Sequence, residues 1–195
     1  MKLHDISGNR LYLSAKERAA FLETAKEEAP RPVRSFCAVL HGTGCRISEA
    51  LALSPKQVDI ADGVIIFETL KKRRGGIYRA VPASPDLLEL LDMVHGIREA
   101  HGRGKAELLD APLWTWERTT AWRRVKEVMV AAGITDGAHR TPKGLRHGYG
   151  IHAIGSGIPL NLLSKWMGHS SLEVTAIYAD ATGEEAQNIA SRMWE

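Results

Sequence analysis

From Ser14 onward, apolar residues recur at helical intervals, interrupted between positions 58 and 81 by short alternating runs. Ser14 with Glu17 three residues on is a capping-box pattern, and Leu13 stands before it as a staple residue. A helix therefore opens there and turns Phe21 and Leu22 toward a core. Pro30 and Pro32 separate it from a second helix over 33–41. Gly42 and Gly44 form a turn that presents Arg46, and a third helix carrying Arg46, Glu49 and Ala50 ends before Pro55. Segments 58–60, 63–69 and 77–81 read as strands, with Asp62-Gly63 as a hairpin signal and the basic run 71–76 at the tip of a second hairpin. Ser84 caps another helix with Pro85 at its first position, and Leu87, Leu88, Leu91 and Val94 form its buried stripe. Gly102-Arg103-Gly104 reads as a loop, and 119–132 as a helix with Trp122 and Val125 inward. Thr141-Pro142 opens the helix that contains Arg146, and 158–167 and 172–178 are two more short helices. The expected class is mainly α with a small antiparallel β-sheet, an α+β domain over 14–182. Residues 1–13 are expected to be a lead-in and 183–195 a helical tail.

A chain of 195 residues is long enough for one domain with a real core. It has no apolar run of membrane-spanning length and no signal-peptide pattern, so the expectation is a cytoplasmic protein without a membrane partner. Cys37 and Cys45 make no disulfide framework and read as packing residues in apolar helical contexts. No His/Cys cluster has zinc-ligand spacing, so neither metal nor cofactor is expected. The net charge is only +3, but its distribution is uneven. Lys71, Lys72, Arg73 and Arg74 with Arg79 form one basic cluster; Arg118, Arg123, Arg124 and Lys126 form a second; Arg140, Lys143, Arg146 and His147 form a third. Brought to one face, they would make a footprint for DNA phosphates. The bland reading of each run is solvated surface.

Three local contexts carry the candidate chemistry. Arg46 sits in Gly42-Thr43-Gly44-Cys45-Arg46-Ile47-Ser48-Glu49, Arg146 in Lys143-Gly144-Leu145-Arg146-His147, and Gly168-His169 precedes Tyr178 by nine residues. This set resembles the tyrosine recombinase (phage integrase) family, from about Ser14 to Tyr178. The family pattern is an arginine in Gly-Thr-Gly-x-Arg-x-Ser-Glu, a lysine on a β-turn, a His-x-x-Arg box, a Gly-His, and a tyrosine about nine residues on. Arg46, Arg146, His169 and Tyr178 match it residue by residue. Lys143 stands where the family usually has the histidine of His-x-x-Arg; as a catalytic cation it can hold a phosphate oxygen or buffer its charge, but with no acceptor it is a poor general base unless its pKa falls.

The resemblance implies a DNA strand transferase. Arginine grips two phosphate oxygens with its planar fork and stays charged, so Arg46 and Arg146 are expected to clamp the phosphodiester. The bland alternative for Arg46 is an ion pair with Glu49, and Glu49 could orient the same arginine. Tyr178 is the expected nucleophile, giving a 3′-phosphotyrosyl link that needs no ATP to reseal. His169 is expected to donate to a nonbridging oxygen, His147 to orient the site, and Lys71 or, one residue on, Lys72 to protonate the leaving 5′-oxygen. Lys72, Arg73, Arg74, Arg123, Arg124 and Arg140 are expected to contact DNA. Tyr12, Tyr78 and Tyr149 read as packing residues. The expected partner is double-stranded DNA, with a monomer in solution and a tetramer on paired sites. The tail's apolar positions, Ala186, Ile189, Ala190 and Met193, would dock on a neighbouring protomer or on the chain's own domain. The family's additional N-terminal helical domain has no room before Ser14, so the chain reads as a catalytic domain alone. Two other readings share the residues: a type I topoisomerase-like relaxing enzyme, and a DNA-binding regulator that has lost activity.

Overall fold

In a computed structural model, the described residues are 2–69, 76–180, 186–187 and 190–191. Helix α1 (Ala15–Glu28) opens on the expected capping box: Glu17 N–H donates to Ser14 Oγ at 3.3 Å, and Ser14 N–H donates to the Glu17 carboxylate at 2.9 Å. Helix α2 (Arg31–Thr43) starts at the prolines and buries Val33, Phe36, Cys37, Val39 and Leu40. It packs against α1, α4 and α8, so it is the axis of the larger core. Gly44 ends α2 with φ +60°, and a side chain there would also strike the ring of Tyr149. Cys45 lies buried in this turn rather than in a helix, and Arg46 is the N-cap of α3 (Ile47–Leu51) rather than a residue inside it.

Strands β1 (Val58–Asp59), β2 (Val64–Glu68) and β3 (Tyr78–Pro82) pair antiparallel in the order β1-β2-β3. The β2–β3 register sets Ile65 opposite Val81 and Phe67 opposite Arg79, with these four side chains on the buried face. Tyr78 therefore points outward and is 59% exposed, whereas Tyr12 is buried and Tyr149 half-buried. Helix α4 (Pro85–His95) has the expected cap, and α5 (Ile97–Arg103) follows. Gly102 and Arg103 are thus helical: Ile97 and Ala100 anchor α5 on the core, and Gly104 with φ +61° ends it. Helices α6 (Ala106–Leu109), α7 (Arg118–Ala131), α8 (Pro142–Gly155), α9 (Leu160–Met167) and α10 (Glu173–Ala176) complete the domain, with a 3₁₀ turn at Ile177–Asp180.

On α7 the buried stripe is Ala121, Val125, Val128 and Met129. Trp122 lies at its edge and is 46% exposed, contrary to the inward placement expected, with the Lys126 ammonium 5.5 Å from its ring. Residues 2–13 are more than a lead-in. His4 and Arg10 bridge as a small hairpin, and Leu3 and Tyr12 enter a second core with Ile151, Ala153, Leu163, Met167 and Tyr178. Among the described residues no helix is long and apolar enough to cross a membrane. Of the tail, Ile189 and Met193 lie outside the described residues, so its expected apolar face does too.

Candidate active site

The site is built where the C-terminal end of α2, the start of α8 and the end of α9 meet. Arg46 is partly exposed. Its backbone N–H and its Nη1 both donate to the Glu49 carboxylate, at 2.8 and 2.6 Å. Glu49 is almost fully buried, and its other ion pair is Arg79 Nη2 at 2.8 Å. Burial works against ionising Glu49, but Arg79 and Arg46 outweigh it and hold the carboxylate below its ordinary range. Arg79 also donates from Nε to the Trp166 carbonyl at 2.7 Å. The sequence groups it with the hairpin cations, yet it is a buried brace joining β3, α3 and α9. The signal is present in the chain: Arg79 shares strand parity with Val81, on the core face.

Arg146 is buried. It donates from Nη1 to the Gly44 carbonyl at 2.6 Å and from Nη2 to the Met167 carbonyl at 2.7 Å. Nη2 also lies 3.1 Å from His169 Nε2. Burial first, and then the charge of Arg46, lowers Arg146 to about 10, which leaves it protonated at neutral pH. The positive φ of Gly168 turns the chain out of α9 to place His169 there. His169 Nδ1 lies 2.8 Å from the buried Thr175 hydroxyl, a residue that sequence reasoning passed over although it stands one turn before Tyr178. Arg46, Arg146 and His169 are therefore brought together, with Glu49 behind the first.

Tyr178 is close but turned inward. Its ring stacks on His169 with centroids 6.2 Å apart, and its hydroxyl is 3.3 Å from His147 Nδ1. The side chain is fully buried in the second core. Burial outweighs the pull of Arg146 and Arg46 and pushes the phenol up to about 12. His147 is lowered to about 4 by burial, then by Lys143 and Arg146, so it is neutral at neutral pH, and its Nε2 has no hydrogen-bond partner among the described residues. Gly150 makes this parking place possible: a Cβ there would lie 2.6 Å from the Tyr178 ring.

Two clefts open on either side of Arg46. One, of about 390 Å³, is lined by Thr69, Tyr78, Arg79, Lys165, His169 and Ser170. The other, of about 650 Å³, is lined by Arg118, Trp122, Lys143, Arg146 and His147. Lys143 is exposed at that second cleft. Lys71, Lys72, Arg73 and Arg74 lie outside the described residues. Arg123 and Arg124 are not brought to the clefts around Arg46: both pair with Glu127, and Arg118 and Trp122 occupy the cleft side of α7 instead. Arg140 is engaged in its own loop, paired to Asp136 and donating to the Ile134 carbonyl at 3.2 Å.

Two arginines and a histidine thus converge at the junction of two clefts on a mainly helical frame, with a tyrosine stacked behind. The chain belongs to the phage integrase family, whose model matches residues 12–185. It is 29% identical over 191 residues to the tyrosine recombinase XerD of Mycobacterium leprae (strain TN), covering 91% of this chain and 58% of that one. Its fold is similar to that of the XerA recombinase, with a TM-score of 0.75 at 21% identity over 93% of this chain and 64% of that chain. The catalytic domain of bacteriophage HP1 integrase is also similar, with a TM-score of 0.61 at 22% identity over 92% of this chain and 93% of that one. The chain spans about half the length of the curated relatives it matches.

Proposed function

We propose that this domain cuts and rejoins double-stranded DNA at specific sites through a 3′-phosphotyrosyl intermediate. The observation that carries the reading is the convergence of Arg46, Arg146 and His169, with the ring of the parked Tyr178 stacked on His169. The relatives' name, tyrosine recombinase, supports it. So does the likeness of the fold to that of the XerH site-specific recombinase, which was solved bound to its difH substrate.

A phosphodiester repels nucleophiles, and charge builds on its nonbridging oxygens as the phosphorus becomes five-coordinate. Arg46 and Arg146 meet that charge with fixed donors. Glu49 and Arg79 hold Arg46 in place, so little reorganisation is left for the reaction. His169 donates to a nonbridging oxygen, and Lys143 holds a phosphate oxygen or buffers its charge. The Tyr178 oxygen attacks phosphorus and gives its proton to water; the bond to the 5′-oxygen breaks; Lys71 or Lys72 gives a proton to that oxygen. Attack by another 5′-hydroxyl reverses these steps and frees the tyrosine. In the resting chain the nucleophile is sequestered, so DNA binding must release it from His147. We place a monomer in solution and four protomers on paired sites in this scheme, with the tail of each docking on its neighbour or its own domain.

The test is capture from a random pool of nicked duplexes, whose short 5′ fragment diffuses away after cleavage and traps the adduct. A detergent-stable complex mapping to Tyr178 is the expected result. No adduct, or one on another tyrosine, refutes the assignment.

A further inference from the structure

His169 turns Nε2 toward Arg146, which the proposed mechanism assigns to the phosphate, and the hydrogen bonds fix what that atom carries. A guanidinium only donates, so at 3.1 Å from Arg146 Nη2 the Nε2 atom is an acceptor. The proton of the neutral ring is then on Nδ1, donated to Thr175 Oγ1 at 2.8 Å. This is the wrong tautomer for donating to a phosphate. Adding a second proton is one remedy, but in the DNA-free chain burial, followed by Arg146, Arg46, His147 and Arg79, lowers the ring to about 3, and Arg46 and Arg146 stay beside it when a phosphate enters.

The other remedy uses Thr175. A hydroxyl both accepts and donates, so it satisfies Nδ1 in either tautomer. We infer that Thr175 is a positioning residue that lets His169 exchange tautomers when a phosphate enters. In the free chain Nδ1–H donates to Oγ1. With phosphate present, Arg146 turns a donor to the oxygen, Oγ1–H donates to Nδ1, and Nε2–H donates to the phosphate. One proton leaves Nδ1 and one arrives on Nε2 through water, so the imidazole stays neutral. Thr175 is wholly buried and one helical turn from Tyr178, so this hydroxyl ties the donor to the segment that bears the nucleophile. The inference rests on the phosphodiester reading above.

The experiment is ¹⁵N NMR of labelled histidine in the intact chain at neutral pH, alone and with a short mixed-sequence duplex at low salt. The expected result is Nδ1–H alone and Nε2–H with DNA. A doubly protonated ring with DNA, or Nδ1–H retained, overturns the inference. A gel shift on the same sample separates this from failure of the DNA reading, which absence of binding would show and which would take the inference with it. In capture assays, Thr175→Val should slow adduct formation roughly 5- to 150-fold, the equivalent of one unpaired buried polar atom, at unchanged DNA affinity. Thr175→Ser should restore it to within about fourfold, the scale of a lost methyl that leaves the hydrogen bond intact. Equal rates for Thr175→Val and the parent, or no rescue by serine, would count against the exchange.

Discussion

Gly150→Ala is a direct probe of the parked tyrosine. The new Cβ would fall 2.6 Å from Cε2 and Cζ of Tyr178, about 1 Å short of ordinary contact. Burial of the ring contributes about 2 kcal/mol and its bond to His147 about 1 kcal/mol, so the parked state is favoured by about 3 kcal/mol. At that gap roughly one molecule in 150 has the ring released. A phenol that ionises only when released then titrates about two units above its ordinary value of about 10. Burial, less the pull of Arg146 and Arg46, likewise puts the phenol at about 12. Overpacking costs about 1–3 kcal/mol, which lifts the released fraction to between about 3% and one half. Global stability should change less, because alanine recovers about 1 kcal/mol of helix propensity. The assay is alkaline spectrophotometric titration, with Tyr178→Phe subtracting the other tyrosines. Gly150→Ala should move the Tyr178 titration down by roughly 0.5 to 2 units. An unmoved titration in a folded variant would show that the ring is not held by this packing.

Tyr178→Phe should abolish covalent DNA attachment while DNA affinity persists, read by capture and gel shift; unchanged capture would falsify the nucleophile assignment. Arg46→Ala and Arg146→Ala should each slow capture by roughly two to three orders of magnitude, the scale of one lost oxyanion donor, with much smaller losses in affinity; equal losses in both would make them ordinary phosphate contacts. His41 and His169 are lowered to about 3 and His95 and His147 to about 4, in each case chiefly by burial. The unfolded chain therefore binds more protons than the folded one below about 6.5, and stability present above that pH should be lost toward pH 3–4, at no more than about 1.4 kcal/mol per group and pH unit. Urea midpoints that stay flat between pH 6.5 and 4.5 would refute this. Lys71→Ala should be rescued by a 5′-bridging phosphorothiolate, whose leaving group needs no acid, whereas Arg46→Ala should not; rescue of Lys72→Ala instead would shift the assignment by one residue.

The helices and the sheet were legible because local chemistry and tertiary packing agree in them. Ser14, Gly44, Ser84 and Thr141 each mark a boundary that the structure uses. The misreadings fall where one face of an element had to be chosen. Glycine at 102 suggested a break, but Ile97 and Ala100 supply enough buried surface to carry the helix through it. Trp122 is apolar by type, yet its position at the margin of the α7 stripe leaves half the ring outside. Arg79 went the other way. A basic residue beside a basic run reads as surface, and only the strand alternation reveals that it faces Glu49.

The motifs identified the groups at the site but not the state they are in. Spacing could bring His169 and Tyr178 together, but not say whether the phenol faces the cleft or the core. That choice is made by residues remote in sequence: Leu3 and Tyr12 from the N-terminal hairpin, Ile151 and Gly150 from α8, Leu163 and Met167 from α9. Together they hold Tyr178 where its proton is hardest to remove and its oxygen bonds to His147. If Tyr178 is the nucleophile, the same packing that stabilises the second core would oppose its attack by about the energy that holds the ring. On the proposed function, DNA binding would have to supply that energy before the tyrosine attacks. On the proposed reading, such an arrangement would keep the nucleophile from attacking until a phosphate occupies the arginine clamp.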